Sequence, residues 1–137
     1  MEFALALPIL VGMLIPTTDL GMGFYAQMRV QNAAQAGAQY AIAHGWNNGA
    51  NVTAIESAVT SATTLASIIP SPAPSQACGC ASGTSISPSN CGSTCPDGAA
   101  AGSYVTVNAQ SPYSPFISYP SIGSSVTLTA QATVRVQ

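Results

Sequence analysis

From Phe3 to Ile15 the chain carries no charged and no amide side chain, and apolar character resumes after Pro16-Thr17-Thr18-Asp19 and continues to Met28. Written as one helix, residues 3–28 span about 39 Å, enough to cross a hydrocarbon core of roughly 30 Å. A chain that opens this way needs a lipid or protein environment for the segment. A secretory signal peptide would place a positive charge ahead of the apolar run, and Glu2 stands there instead. Pro8 and Pro16 each remove a backbone donor and are expected to kink or break the helix. Residues 12–18 are therefore its weakest part, with Thr17, Thr18 or Asp19 available to cap a restarted helix. A carboxylate at Asp19 needs a partner, a water-filled site or a place near an interface.

Beyond the apolar run the pattern stays helical and changes in kind. Gln27, Gln31, Gln35 and Gln39 recur every four residues and make a polar stripe, with Ala26, Val30, Ala33, Gly37 and Ala41 on the opposite side. Small residues let two backbones approach closely. The stripe fits a helix lying tightly on its own sheet, and also a contact between subunits. Gly45 ends the helix, followed by a turn at Trp46-Asn47-Asn48-Gly49. Residues 1–45 thus read as a membrane or filament-core helix and residues 46–137 as an exported head.

In the head, Val52, Ile55, Val59, Ala62, Ala66 and Ile69 mark one face of a second helix over about 52–69, and Thr53-Ala54-Ile55-Glu56 fits a capping box. Pro70, Pro72 and Pro74 stop it. Residues 75–102 form a Cys/Gly/Ser/Pro loop, and residues 103–137 are β. Tyr104-Val105-Thr106-Val107-Asn108 alternates, Pro112, Pro115 and Pro120 make 111–122 a stiff connection, and the last stretch has the clearest pattern in the chain. Val126, Leu128, Ala130, Ala132, Val134 and Val136 share one face, and Thr127, Thr129, Gln131, Thr133 and Arg135 the other. That alternation predicts a strand of an antiparallel sheet with one buried face, which the amphipathic helices would cover. The class is α+β: a long apolar N-terminal helix, kinked near Pro8 and Pro16, on a small antiparallel sheet, with a second short helix and a disulfide-bearing loop.

Cys78, Cys80, Cys91 and Cys95 fall in that loop, an even number that reads as a disulfide framework from an oxidising compartment. A Cys78–Cys80 bridge would be strained across one residue, which leaves nested or crossed pairs. Free thiols or zinc ligands are the other readings. Zinc commonly takes Cys-x2-Cys pairs, whereas these spacings are Cys-x-Cys and Cys-x3-Cys, and the sole His is far away. No metal or cofactor is expected.

Composition narrows function further. Only 4% of residues are charged, against roughly 25% in ordinary soluble domains. Monomers of such a chain repel one another weakly, which suits an assembly. Arg29 and Arg135 are the only basic residues, which argues against a nucleic-acid partner. No catalytic constellation forms: His44 is alone, and there is no Gly-x-Ser-x-Gly elbow or glycine-rich phosphate loop. The chain does not read as an enzyme. Asn51-Val52-Thr53 matches a glycosylation sequon, a three-residue pattern that arises often by chance.

Two charged positions on the helix bear on assembly. Glu2 can neutralise a neighbouring subunit's α-amine or sit among lipid headgroups. Asp19 and Arg29 lie about 15 Å apart along one helix axis and cannot meet within it. They can pair between staggered subunits, or Asp19 can cap the helix after Pro16 while Arg29 snorkels to solvent.

Glu2-Phe3-Ala4-Leu5-Ala6-Leu7-Pro8-Ile9-Leu10, then Asp19-Leu20-Gly21, then Gln31-Asn32-Ala33-Ala34-Gln35-Ala36-Gly37-Ala38-Gln39-Tyr40-Ala41 resembles the TadE-like pseudopilins of tight-adherence (Tad) pilus systems, relatives of type IV pilins. A Val-Thr-Val strand, a Pro/aromatic-rich connection and the run from Val126 to Arg135 also fit; the resemblance is weak over 46–100. It implies a pilin-like fold and a structural subunit of an extracellular filament used in surface attachment. Its partners would be copies of itself, the inner membrane before assembly, prepilin peptidase and the pilus assembly machinery. Glu2 matches the family's N-terminal glutamate by motif, although it stands nearer the chain start than that motif places it. Assembly residues on this reading are Glu2, Asp19, Arg29, Ala33, Gly37 and Ala41. The alternatives are a minor pseudopilin and a single-pass membrane-anchored adhesin, neither of which forms the filament.

The single-sided last strand yields a test. Val134→Asp should prevent stable folding by placing a carboxylate on the buried face; a normal yield of protease-resistant protein would contradict it.

Overall fold

A computed structural model describes residues 2–47, 49–65, 67–116 and 124–136. The order of elements is α1 (Glu2–His44), α2 (Val52–Ser61), β1 (Ser75–Ser82), β2 (Ser85–Pro88), β3 (Gly102–Tyr113) and β4 (Val126–Val136). The strands form one antiparallel sheet in the order β2-β1-β3-β4. The α+β class is as expected.

α1 runs unbroken through Pro8 and Pro16. The expected restart after Pro16 does not occur. The Thr17 hydroxyl donates to the carbonyls of Met13 and Leu14, and the Thr18 hydroxyl to those of Leu14 and Ile15, at 2.8–3.1 Å. Both side chains therefore serve a continuous helix rather than cap a new one. Gly45, at φ 69°, ends α1, and its N–H donates to the Ala41 carbonyl.

The second half of α1 is amphipathic. Val30, Ala33, Ala34, Gly37, Ala38 and Ala41 follow the i, i+3, i+4, i+7 spacing of one face, and all are buried. They join Ile55 and Val59 of α2 and Val105, Val107, Ala109 and Val136 of the sheet in one core. The stripe thus packs within the chain. Gly37 is its tightest point: a Cβ there would lie 2.5 Å from Val59 Cγ2 and 2.9 Å from Val107 Cγ1. Gly37 meets Val107, and Asp19 meets Tyr113, so α1 runs along β3 in the opposite sense.

β4 has the predicted alternation: even-numbered positions from Val126 to Val136 are half-buried or buried, odd-numbered ones exposed. β3 is longer than expected and continues through Pro112 to Tyr113. Gln110 exchanges both backbone hydrogen bonds with Ile69, away from β4. Pro112 has the same parity, so its missing N–H points to that open side and costs the β3–β4 ladder nothing. The rest of the stiff connection, Pro120 included, lies outside the described residues.

Three further expectations are corrected. α2 ends at Ser61 rather than near Ile69, because Ile69 is recruited as a bridge to β3 and Ala62-Thr63-Thr64 turns the chain toward it. The Thr53–Glu56 capping box does not form. Thr53 lies inside the helix, Asn51 is the cap residue without a side-chain cap bond, and its amide instead donates to the Gly45 carbonyl at 2.5 Å. This contact also ties down the side chain of the sequon asparagine. The Cys-rich stretch is not an irregular loop throughout: it holds the β1–β2 hairpin. Two disulfides, Cys78–Cys91 and Cys80–Cys95, cross one another in sequence and fasten β1 to the segment after β2.

The Gly37 contact yields a prediction. Val59 and Val107 are β-branched and stiff at χ1, so an added methyl forces them apart. Gly37→Ala gains about 1 kcal/mol of helix propensity and loses about 1–3 kcal/mol to overpacking; Gly37→Leu should prevent α1 from docking. Denaturant unfolding followed by Trp46 fluorescence checks this, and a Gly37→Leu protein as stable as wild type would show that the contact is not close.

Candidate functional site

The candidate site is the N-terminal half of α1 and its junction with the head. Phe3, Leu7, Ile9, Leu10, Val11, Met13, Leu14 and Ile15 are all exposed, from 40% to 88%. They cover every side of the helix, which a soluble surface helix does not show. The helix is long and apolar enough to cross a membrane. In chemical terms this shaft offers dispersion contacts alone: a surface for lipid tails or for other apolar helices.

The shaft ends at Asp19, which is 3% exposed. Its Oδ1 accepts from the Tyr113 hydroxyl at 2.9 Å and from the Phe116 backbone N–H at 3.1 Å. The same hydroxyl lies 3.0 Å from the Asp19 carbonyl. The Tyr113 ring reaches this position over Gly23, where a Cβ would stand 3.6 Å from it. An apolar groove of about 370 Å³ opens beside the latch, lined among others by Pro16, Leu20, Gly23, Tyr113 and Leu128. Asp19 is thus a tertiary hydrogen-bond acceptor, not a helix cap, and it clamps the segment after β3 onto α1.

Arg29 is also engaged within its own chain. Its Nη2 donates to Thr64 Oγ1 at 2.7 Å, and its guanidinium lies 5.1 Å from the centre of the Tyr25 ring. The structure therefore gives Asp19 and Arg29 separate intramolecular partners. Ala33, Gly37 and Ala41 lie in the seam between α1, α2 and β3. Glu2 is the first residue of α1, and its side chain falls outside the described part. His44 stacks on Tyr40 with ring centres 4.0 Å apart, and its Nδ1 lies 3.1 Å from the Tyr40 carbonyl. All four cysteines are disulfide-bonded. Among the described residues no group of three or more His, Cys, Asp or Glu side chains comes together as a metal site.

Nothing in the sequence pattern marks Tyr113 and Phe116 as site residues. Tyr113 is 94 positions from Asp19, and no local repeat links them. The usable signal was the reverse one, an acidic residue inside an apolar helix that required donors from elsewhere.

The class the fold defines is α+β: a long apolar helix whose second half carries a small head with two disulfides beside its sheet. Residues 1–39 match the family model described as TadE-like protein. The similarity to that family lies in the N-terminal segment and takes in the apolar shaft, Asp19, Arg29, Ala33 and Gly37. No curated protein and no solved structure matches the chain.

The latch yields a prediction. Tyr113→Phe removes a hydroxyl donor from a buried carboxyl and should cost about 1–3 kcal/mol. Asp19→Leu makes the helix more apolar yet leaves the Phe116 N–H without its acceptor and the Tyr113 hydroxyl with the residue-19 carbonyl alone, and should cost about as much. Unfolding midpoints of the full chain in detergent measure both; an Asp19→Leu protein no less stable than wild type would sink the latch.

Proposed function

We propose that this chain is a structural subunit of a Tad-type pilus system. α1 holds it in the inner membrane, prepilin peptidase and the assembly machinery act on it there, and the apolar shaft then packs against other copies in an extracellular filament. The observation that carries the reading is the shaft itself. Its described side chains are all exposed over about 24 Å, from Phe3 up to the level of Asp19, and it lies within the segment that matches the TadE-like model. A surface of that kind is stable only in lipid or among other apolar helices. The role is mechanical, not catalytic. Surface attachment would be the work of the filament.

A second reading, a minor pseudopilin that acts singly, gains from one observation. The small-residue stripe that suits close helix packing between subunits is already occupied by the chain's own α2 and β3. Polymerisation must then rest on the shaft rather than on Gly37.

Electron microscopy of material sheared from producing cells, with mass spectrometry of its subunits, separates the two. Thin filaments composed mainly of this chain are expected. Filaments that lack it, with the chain retained in membranes, would overturn the polymer reading in favour of the minor subunit.

A further inference from the structure

We propose that Phe116 is a membrane-surface anchor: the Asp19 latch holds this exposed ring at one depth along α1, so that the foot of the head rests on the phospholipid interface. The inference builds on the membrane-anchored reading of α1.

Phe116 is 84% exposed, yet its backbone is not at liberty to move, because its N–H is bound to Asp19 Oδ1 at 3.1 Å. The ring borders a small groove of about 180 Å³ with Ile15, Thr18, Asp19 and Met22, which sets its level on the helix. That level is where the head begins to cover one face of α1. Below it, residues 6–18 are exposed and apolar with few exceptions; above it, Val30, Ala33 and Ala34 are buried by the head, while Leu20, Phe24, Tyr25 and Met28 stay exposed. The apolar length below, about 24 Å from Phe3, takes up most of a hydrocarbon core of roughly 30 Å. Phe116 therefore lies near the boundary of that core, where an exposed apolar ring can insert at the headgroup/acyl boundary.

The polar groups at this level are already adapted to lipid. The Thr17 and Thr18 hydroxyls are spent on α1 carbonyls, so they present no unmet donor. Asp19, the one carboxyl at this depth, is 3% exposed under Tyr113 and the Phe116 backbone. The segment that covers the carboxyl is the one that projects the ring, so a single contact would shield the charge and set the height of the head.

The test uses the full chain in liposomes with brominated phosphatidylcholine as quencher. The chain's one tryptophan, Trp46, follows the far end of α1, about 38 Å along the helix from Asp19, so wild-type emission should be insensitive. In Phe116→Trp the added emission should be blue-shifted and mostly lost to brominated lipid. Adding Asp19→Ala should restore much of it, because the segment is released. Leu10→Trp reports on the anchor independently and should be strongly quenched. Quenching at position 10 but not at position 116 would overturn the inference alone. So would quenching of the Phe116→Trp emission that is indifferent to Asp19→Ala. An unquenched Leu10→Trp would overturn the anchored reading, and this inference with it.

Discussion

α1 can lie on β3 and α2 because its inward positions, Val30, Ala33, Ala34, Gly37, Ala38 and Ala41, carry nothing larger than valine. At Gly37 the valine methyls of both neighbours occupy the space where a Cβ would stand. Larger residues would hold helix and sheet apart and expose the apolar face of β4, which α1 also covers. The sheet cannot replace this contact, since a small sheet needs something packed on its apolar face. The seam therefore decides whether the head exists, and it also fixes where the shaft emerges.

That arrangement gives one continuous helix two environments. The upper half is amphipathic and belongs to the head's core. The lower half is apolar all round and buries nothing within its own chain. Asp19 stands at the change of regime. An acidic residue in an apolar helix is costly in lipid unless it is covered, and here the end of β3 covers it. The same coupling gives Asp19 and Arg29 separate partners within the chain in this structure.

The opposite edge of the sheet is held by different means. β1 and β2 consist of Ser, Gln, Ala, Cys, Gly, Ile and Pro, mostly poor strand formers. Their pairing is supported by β3 on one side and by two crossed disulfides on the other. Covalent closure limits the freedom of the unfolded chain where side-chain packing is thin. With so few charges, the head's exposed polar surface is mostly neutral Ser, Thr, Gln and Asn, a surface that would repel another copy only weakly.

Where periodicity is strong, the sequence was a sound guide: the apolar shaft, the buried stripe of α1 and the single-sided β4 follow from the 3.6 and 2.0 repeats of the helix and strand. The oxidised cysteines follow from their even number and clustering, but their pairing does not. The β1–β2 hairpin was obscured by weak propensities, although its two-residue Gly83-Thr84 loop, with Gly83 at φ 59°, was a usable signal. Periodicity alone carries α2 past its end at Ser61, because Ile69 fits a helical face as well as it fits its bridge to Gln110. The order of residues alone gives one end of the chain a helix with no polar face, which calls for a lipid or protein environment. It took the folded chain to show that Asp19 is covered by Tyr113 and Phe116, that the small-residue stripe is filled from within, and that the disulfides cross. Those outcomes depend on groups distant in sequence meeting in space, and local periodicity carries no information about which of them meet.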